Sequence, residues 1–224
     1  MSLQIYLVRH GKTVFNTIGR LQGWSDSPLT PEGRDVAARL GRGLAGHKIR
    51  FDAAFSSTAP RAAETARIIL THQGQADLPL VQLPDLREYC FGGFEGEFSH
   101  KLHEMIAASL GLADVQVWKQ AYQNADHHLL AETVAALDEL GLAENETQFV
   151  TRLKNGMAEV AERSNGAQKV LVVAHGMAIT SILKNIDFNS IIYRSVDNAS
   201  VSRLRFEHGK WQIDSVGETE FLAD

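Results

Sequence analysis

An α/β fold, three layers deep with a central and mostly parallel sheet between helices, follows from three short apolar runs and from what comes after each. The runs are QIYLVRH (4–10), FDAAFSS (51–57) and KVLVVAH (169–175), and they are rich in β-branched and aromatic residues. Each gives way to glycine, or to small polar residues and a proline, and then to helical periodicity. Strands buried on both faces read as continuous apolar runs, and their alternation with helices marks a parallel sheet covered on both sides. The 224 residues suffice for a large core, and a single domain over 1–224 is expected.

The helices follow in chain order. Thr30-Pro31 predicts a start, with threonine as N-cap and proline at the first helical position, and Val36, Leu40 and Leu44 repeat at four-residue spacing behind it. Pro60 opens a second helix through Ala62, Ala66 and Ile69, a longer one covers 146–163, and another begins after His175-Gly176. Near the C-terminus, SVSRLRF (200–206) and KWQIDSV (210–216) flank Glu207-His208-Gly209, the pattern of an antiparallel hairpin at the sheet edge. That edge is also a candidate surface for a homodimer. Residues 98–146 are helix-prone, break the strand rhythm and read as a helical insertion over the sheet.

Composition narrows the function. A formal charge of −5, from 22 basic and 27 acidic residues, disfavours a nucleic-acid partner. One cysteine, Cys90, rules out an internal disulfide and gives no sign of an oxidising compartment. The opening MSLQIYLVRHG has no basic segment before its apolar run and no cleavage site after it, and no stretch approaches the roughly 20 apolar residues of a membrane span. The expectation is a soluble, cytoplasmic protein without a membrane partner.

All three strands end in chemistry: Arg9-His10-Gly11, Ser56-Ser57 leading to Arg61, and His175-Gly176. Ligands of open parallel sheets bind beyond the carboxyl ends of the strands. If these strands are neighbours, two histidines and two arginines converge, which calls for an anion. Guanidinium forks match phosphate oxygens, and helix N-termini after Gly11 or Gly176 would add N–H donors. A neutral imidazole is a nucleophile near pH 7, so phosphoryl transfer through histidine is the indicated reaction. The leaving oxygen then needs a proton, for which the candidate is Glu88 in LREYCFGGFEGE (86–97), where Leu86, Tyr89 and Phe91 would desolvate it.

Four segments carry a resemblance to a known family: LVRHGKTVFN (7–16), LQGWSDSPLTPEGRDVA (21–37), FSSTAPRAAETARII (55–69) with LREYCFGGFEGE (86–97), and VLVVAHGMAI (170–179). In this order they resemble the histidine phosphatase superfamily, in its phosphoglycerate mutase-like branch. The resemblance implies a phosphoglycerate mutase-like fold and a set of roles. His10 would become phosphohistidine; Arg9, Arg61 and His175 would hold the phosphoryl group; Glu88 would be the proton donor. Asn16 would contact phosphate, and Gln22 and Gly23 would lie in the loop that lines the substrate pocket. Neither a metal nor an organic cofactor is implied, since cationic side chains neutralise the developing charge.

The chain departs from the family pattern at Lys12, where glutamate or glutamine is usual, and in the order Thr58-Ala59-Pro60 before Arg61. No paired arginines follow the Glu88 segment of the kind that phosphoglycerate mutases use to grip the far end of a bisphosphate. The expectation is therefore a phosphomonoesterase acting on small phosphorylated substrates, with inorganic phosphate as product. Its rivals are a phosphoglycerate mutase or sugar-bisphosphatase-type activity, and a non-catalytic binder of phosphate or phosphoprotein. Arg20, Arg34, Arg39, Arg42 and Arg67 read as solvated charges. His100, His103, His127 and His128 lack a zinc-helix spacing, so no metal site is expected. Loop 16–30 is long enough to be functional. Trp24 within it either caps the pocket or packs against the insertion.

Overall fold

The computed structural model describes residues 2–222. Its strands are β1 (Leu3–Arg9), β2 (Ala53–Ser57), β3 (Leu80–Leu83), β4 (Lys169–Ala174), β5 (Val201–Glu207) and β6 (Lys210–Glu218). Its helices are α1 (Val14–Ile18), α2 (Pro31–Gly46), α3 (Pro60–Gln73), α4 (Ser99–Ser109), α5 (Val115–Gln123), α6 (Leu129–Leu137), α7 (Glu146–Arg163) and α8 (Gly176–Ile186). The six strands form one sheet in the order β3-β2-β4-β1-β5-β6, in which β3, β2, β4 and β1 are parallel and β5 and β6 antiparallel. The mostly parallel sheet and the edge hairpin are as the sequence predicts.

Alternation along the strands builds two cores. Ile5, Leu7, Val170 and Val172 face α4–α8, whereas Tyr6, Val8, Leu171 and Val173 face α2 and α3. Period-two side-chain direction in β1 and β4 thus produces the three layers. On the second face Leu40, Leu44, Ala66 and Ile69 are wholly buried. Truncating Leu40 or Leu44 to alanine would cost about 2–5 kcal/mol. Thr30 caps α2 by accepting from the Gly33 N–H at 3.0 Å, and Asn145 forms a capping box with Gln148 at the start of α7.

Two elements differ from expectation. β3 was not predicted: it has four residues, only Leu83 is buried, and Pro79 and Pro84 flank it. Loop 16–30 is shortened by α1, a five-residue helix with no buried residue, held by a Thr13–Asn16 capping box. The 98–146 segment forms α4, α5 and α6, whose Leu102, Ile106, Trp118, Leu130 and Val134 join the core on the α7–α8 side.

Candidate active site

β1 and β4 are parallel neighbours with Arg9 opposite Ala174, so the next residues, His10 and His175, leave the sheet side by side. The His10 N–H donates to the Ala174 carbonyl at 3.0 Å, and the two rings meet edge to face with centroids 5.2 Å apart. β2 is the other neighbour of β4, and α3 after it carries Arg61 as its second residue. The chain leaves β1 for α2 on one face and leaves β4 for α8 on the other, which makes this cleft a topological switch point.

His10 Nδ1 lies 2.8 Å from the Gly11 carbonyl. A carbonyl oxygen only accepts, so Nδ1 carries the hydrogen and Nε2 is left with its lone pair. Burial, then the Arg61 and Arg9 charges, hold the ring well below the usual histidine range, so it is neutral at pH 7. His175 is wholly buried, burial and then Arg61 hold its pKa well below the usual range, and neither of its ring nitrogens has a partner among the described residues.

Glu88 is buried and moves the other way. Its carboxylate accepts from the backbone N–H groups of Met177, Ala178 and Tyr89 at 2.9, 2.9 and 3.0 Å. Burial nevertheless pushes its pKa up, against the opposing pull of those hydrogen bonds and Arg61. A neutral imidazole and a carboxyl of raised pKa therefore share one site, a pairing suited to acid–base chemistry. Arg152, on α7, steadies the segment by donating to the carbonyls of Asp85, Arg87 and Glu88 at 3.1, 2.8 and 3.1 Å.

The expected helix-terminus donors are otherwise engaged. The N-terminus of α8 holds Glu88, and the Gly11 N–H donates to Thr65 Oγ1 at 3.0 Å. Gly176 is a point of close approach: a Cβ there would lie 2.4 Å from Ser195 Oγ and 3.3 Å from Arg9 Nε. Arg61 is not an open fork either. Its NH1 donates to Ser25 O and Asp26 Oδ1 at 3.0 and 2.6 Å, its NH2 to Gln22 O and Gly23 O at 3.1 and 2.9 Å, and only its Nε is unpartnered.

What remains is a set of buried, unsatisfied donors. Among the described residues, Arg9 Nε, Arg61 Nε, Gln22 Nε2 and the one protonated ring nitrogen of neutral His175 have no hydrogen-bond partner. The Gln22 amide is oriented by Thr13 Oγ1 and Ser27 Oγ, which donate to its Oε1 at 3.1 and 2.5 Å. Leaving such groups unpaired costs about 1–3 kcal/mol each, more when charged, unless a ligand pairs them.

A cavity of about 230 Å³ opens here, and Arg9, His10, Asn16, Gln22 and Glu88 line it. Asn16 Oδ1 accepts from the Thr13 N–H at 3.2 Å and from Asn198 Nδ2 at 3.4 Å, which leaves its NH2 as the open side. Arg61, His175, Gly23 and Gly176 do not line the cavity; the Gly23 N–H is taken by Glu95 at 3.2 Å. The far wall comes from Ser99, Leu102 and His103 of α4, Tyr122 of α5 and Leu130 of α6. Trp118 Nε1 donates to His103 Nδ1 at 2.9 Å, which puts the hydrogen of the neutral ring on Nε2.

Arg20, read from the sequence as solvated, lines the cavity, stacked on Phe98 at 4.1 Å. Arg194 and Ser195 line it too, and no sequence signal marked them. Lys12 faces solvent, paired with Glu32 at 3.0 Å. Trp24 takes neither expected role: its Nε1 donates to the Glu88 carbonyl at 3.2 Å, and Arg87 lies 4.7 Å over its ring.

The family model of the histidine phosphatase superfamily, branch 1, matches residues 5–219. The chain belongs to the histidine phosphatase superfamily. Its enzymatic, phosphatase character therefore rests on the family as well as on the site. A broad-specificity phosphatase of Saccharomyces cerevisiae is 30% identical over 99% of this chain and 88% of its own. A 2,3-bisphosphoglycerate-dependent phosphoglycerate mutase of Methylobacterium sp. (strain 4-46) is 31% identical over 84% of this chain and 82% of its own. The crystal structure of a phosphoglycerate mutase from Bacillus anthracis str. Sterne superposes with a TM-score of 0.92 at 34% identity, over 99% of this chain and 95% of that one. The three-layer, phosphoglycerate mutase-like fold predicted from the sequence is the one this superfamily member adopts.

Proposed function

We propose that this member of the superfamily is a phosphomonoesterase that hydrolyses small phosphorylated metabolites through a phosphohistidine on His10. The observation that carries the reading is a neutral His10 imidazole under the charges of Arg9 and Arg61, each of which keeps a buried Nε–H without a partner among the described residues. A phosphoryl group is the ligand that pairs them, because its oxygens accept from every side. In the first step His10 Nε2 attacks phosphorus, the ester P–O bond breaks, and Glu88 gives its proton to the departing oxygen. In the second, water attacks the phosphohistidine, returns a proton to the Glu88 carboxylate and releases inorganic phosphate. The Arg9 and Arg61 charges neutralise the phosphoryl oxygens in both steps, with a hydrogen bond from neutral His175 beside them, so the scheme calls for no metal or organic cofactor.

No described helix is long and apolar enough to cross a membrane. With a single cysteine, half-buried, and an acidic balance, we assign the enzyme to the cytoplasm.

The mutase reading is favoured by one observation. Arg20 and Arg194 add cationic side chains to the cavity, although no arginine pair follows Glu88 in the sequence. Hydrolysis of p-nitrophenyl phosphate across about pH 5 to 8 with excess chelator tests the proposal. Chelator-resistant phosphate release by wild type and none by His10→Ala supports it. Absence of release by folded wild type refutes hydrolysis as the main activity, and transfer from a bisphosphorylated donor to a sugar-acid phosphate would then identify a mutase.

A further inference from the structure

Glu95 is absent from the mechanism above, yet its carboxylate gathers five donors. Oε1 accepts from the N–H groups of Trp24 and Phe91 at 2.8 and 2.9 Å. Oε2 accepts from the N–H groups of Gly23 and Ser25 at 3.2 and 2.9 Å and from Ser25 Oγ at 2.6 Å. Three successive backbone amides, 23 to 25, thus converge on one carboxylate. The same stretch turns its carbonyls the other way: those of Gln22, Gly23 and Ser25, with the Asp26 carboxylate, take the terminal N–H groups of Arg61. Segment 22–26 is a strap between an acid and a base.

The packing admits this arrangement only with glycine at position 23. A Cβ there would lie 2.0 Å from the Tyr89 carbonyl and 2.5 Å from Glu95 Oε1. The two terminal nitrogens of a guanidinium carry four hydrogens in all, and the strap offers four acceptors. The donor left over is Nε–H, and it is buried without a partner.

We propose that Glu95 is a positioning residue: by fixing the strap it locks the Arg61 guanidinium so that its one free donor, Nε–H, meets the transferring phosphoryl group. The idea rests on the phosphatase reading above, which gives that donor its ligand. In Glu95→Gln one carboxylate oxygen becomes an NH2 that cannot accept, so either two or three of the five bonds are lost. The strap then relaxes and Arg61 loses its aim. Glu95→Asp keeps the charge on a shorter stem and restores part of the function.

The test is a double-mutant cycle read by two independent measurements: kcat and KM for p-nitrophenyl phosphate, and orthovanadate affinity by calorimetry, with thermal unfolding as the control for folding. Glu95→Gln is expected to lose on the order of 10- to 100-fold in kcat/KM and a similar factor in vanadate affinity. In an Arg61→Ala background the same substitution should cost less than about twofold in either, because the residue it acts through is gone. Ser25→Ala, which removes one of the five bonds and leaves the backbone in place, should move vanadate affinity in the same direction by about two- to fivefold, again only while Arg61 is present. Equal losses with and without Arg61, or a lowered unfolding temperature with unchanged KM and vanadate affinity, would overturn the proposal and leave Glu95 a purely structural residue. Wild type that neither hydrolyses the ester nor binds vanadate would overturn the phosphatase reading, and this proposal with it.

Discussion

At the sheet ends, His10, Arg61 and Glu88 are held by hydrogen bonds to backbone groups of β4, the 22–26 strap and α8, whereas in the helical cap of α4–α6 ring packing prevails beside the Trp118–His103 hydrogen bond. Trp118 and Tyr122 stack at 6.0 Å, Tyr122 and Tyr193 at 5.6 Å, and His128 lies 4.9 Å from Tyr193. Backbone hydrogen bonds fix a reacting atom in direction as well as distance, which chemistry at phosphorus requires. Ring packing is less directional and tolerates exchange of shape. On the proposed function, the difference would put the reaction at the sheet ends and the choice of substrate in the cap.

The sharpest way to break that division is at the nucleophile. His10→Ala should lower kcat by on the order of 10⁴-fold or more for every ester while the thermal unfolding transition persists, since the attacking lone pair is removed. Steady-state rates beside circular dichroism check this. Next comes Glu88→Gln, expected to slow esters of poor leaving groups by on the order of 10²–10⁴-fold and good ones far less. The pH profile carries the sign. Because burial raises the Glu88 pKa, its acid form persists above the usual carboxylate range, and wild-type turnover of poor leaving groups falls as pH rises through that pKa. The glutamine variant should lose this alkaline limb.

In the cap, His103→Ala should raise KM for substrates that extend beyond the phosphate by about three- to tenfold and leave kcat for p-nitrophenyl phosphate within about twofold. A kcat collapse would place His103 in the chemistry and dissolve the division.

A smaller effect tests how the cap is held. His128 Nδ1 caps α6 by accepting from the Ala131 N–H at 3.2 Å, and burial pushes its pKa down to about 4. The folded form therefore resists a proton that the unfolded chain accepts near pH 6.5, so its stability contribution is present above that pH and is lost as pH falls towards about 4. The full loss is on the order of 3 kcal/mol. His10 and His175, also lowered, act in the same direction, and Glu88, raised, acts against them. His128→Asn keeps a capping oxygen and cannot titrate, so unfolding temperatures measured from about pH 7 to 4.5 should fall less steeply in it than in wild type.

The same contrast explains what could be read from the chain. β1, β2 and β4 are continuous apolar runs and α2 and α3 open on proline, so their ends, and with them Arg9, His10, Arg61 and His175, were placed by local pattern. β3 escaped because a short, half-exposed edge strand between two prolines has no such pattern, and α1 because its stability comes from one capping box. The α8 terminus was expected to receive substrate, but Glu88, 88 residues earlier than Gly176, fills it. No local signal reports a partner that distant. Arg20, Arg194 and the Glu95 strap depend likewise on how loops fold against one another, where neither period two nor 3.6 applies.

The most direct test of the account is to mix the enzyme with excess ester, quench in denaturant at alkaline pH, where phosphohistidine survives, and map the peptides by mass spectrometry. The account predicts one added phosphoryl group on His10 in wild type, accumulating further in Glu88→Gln with a good leaving group, and none in His10→Ala. Steady turnover with no phosphorylated peptide, or with the phosphoryl group on a different residue, would contradict it.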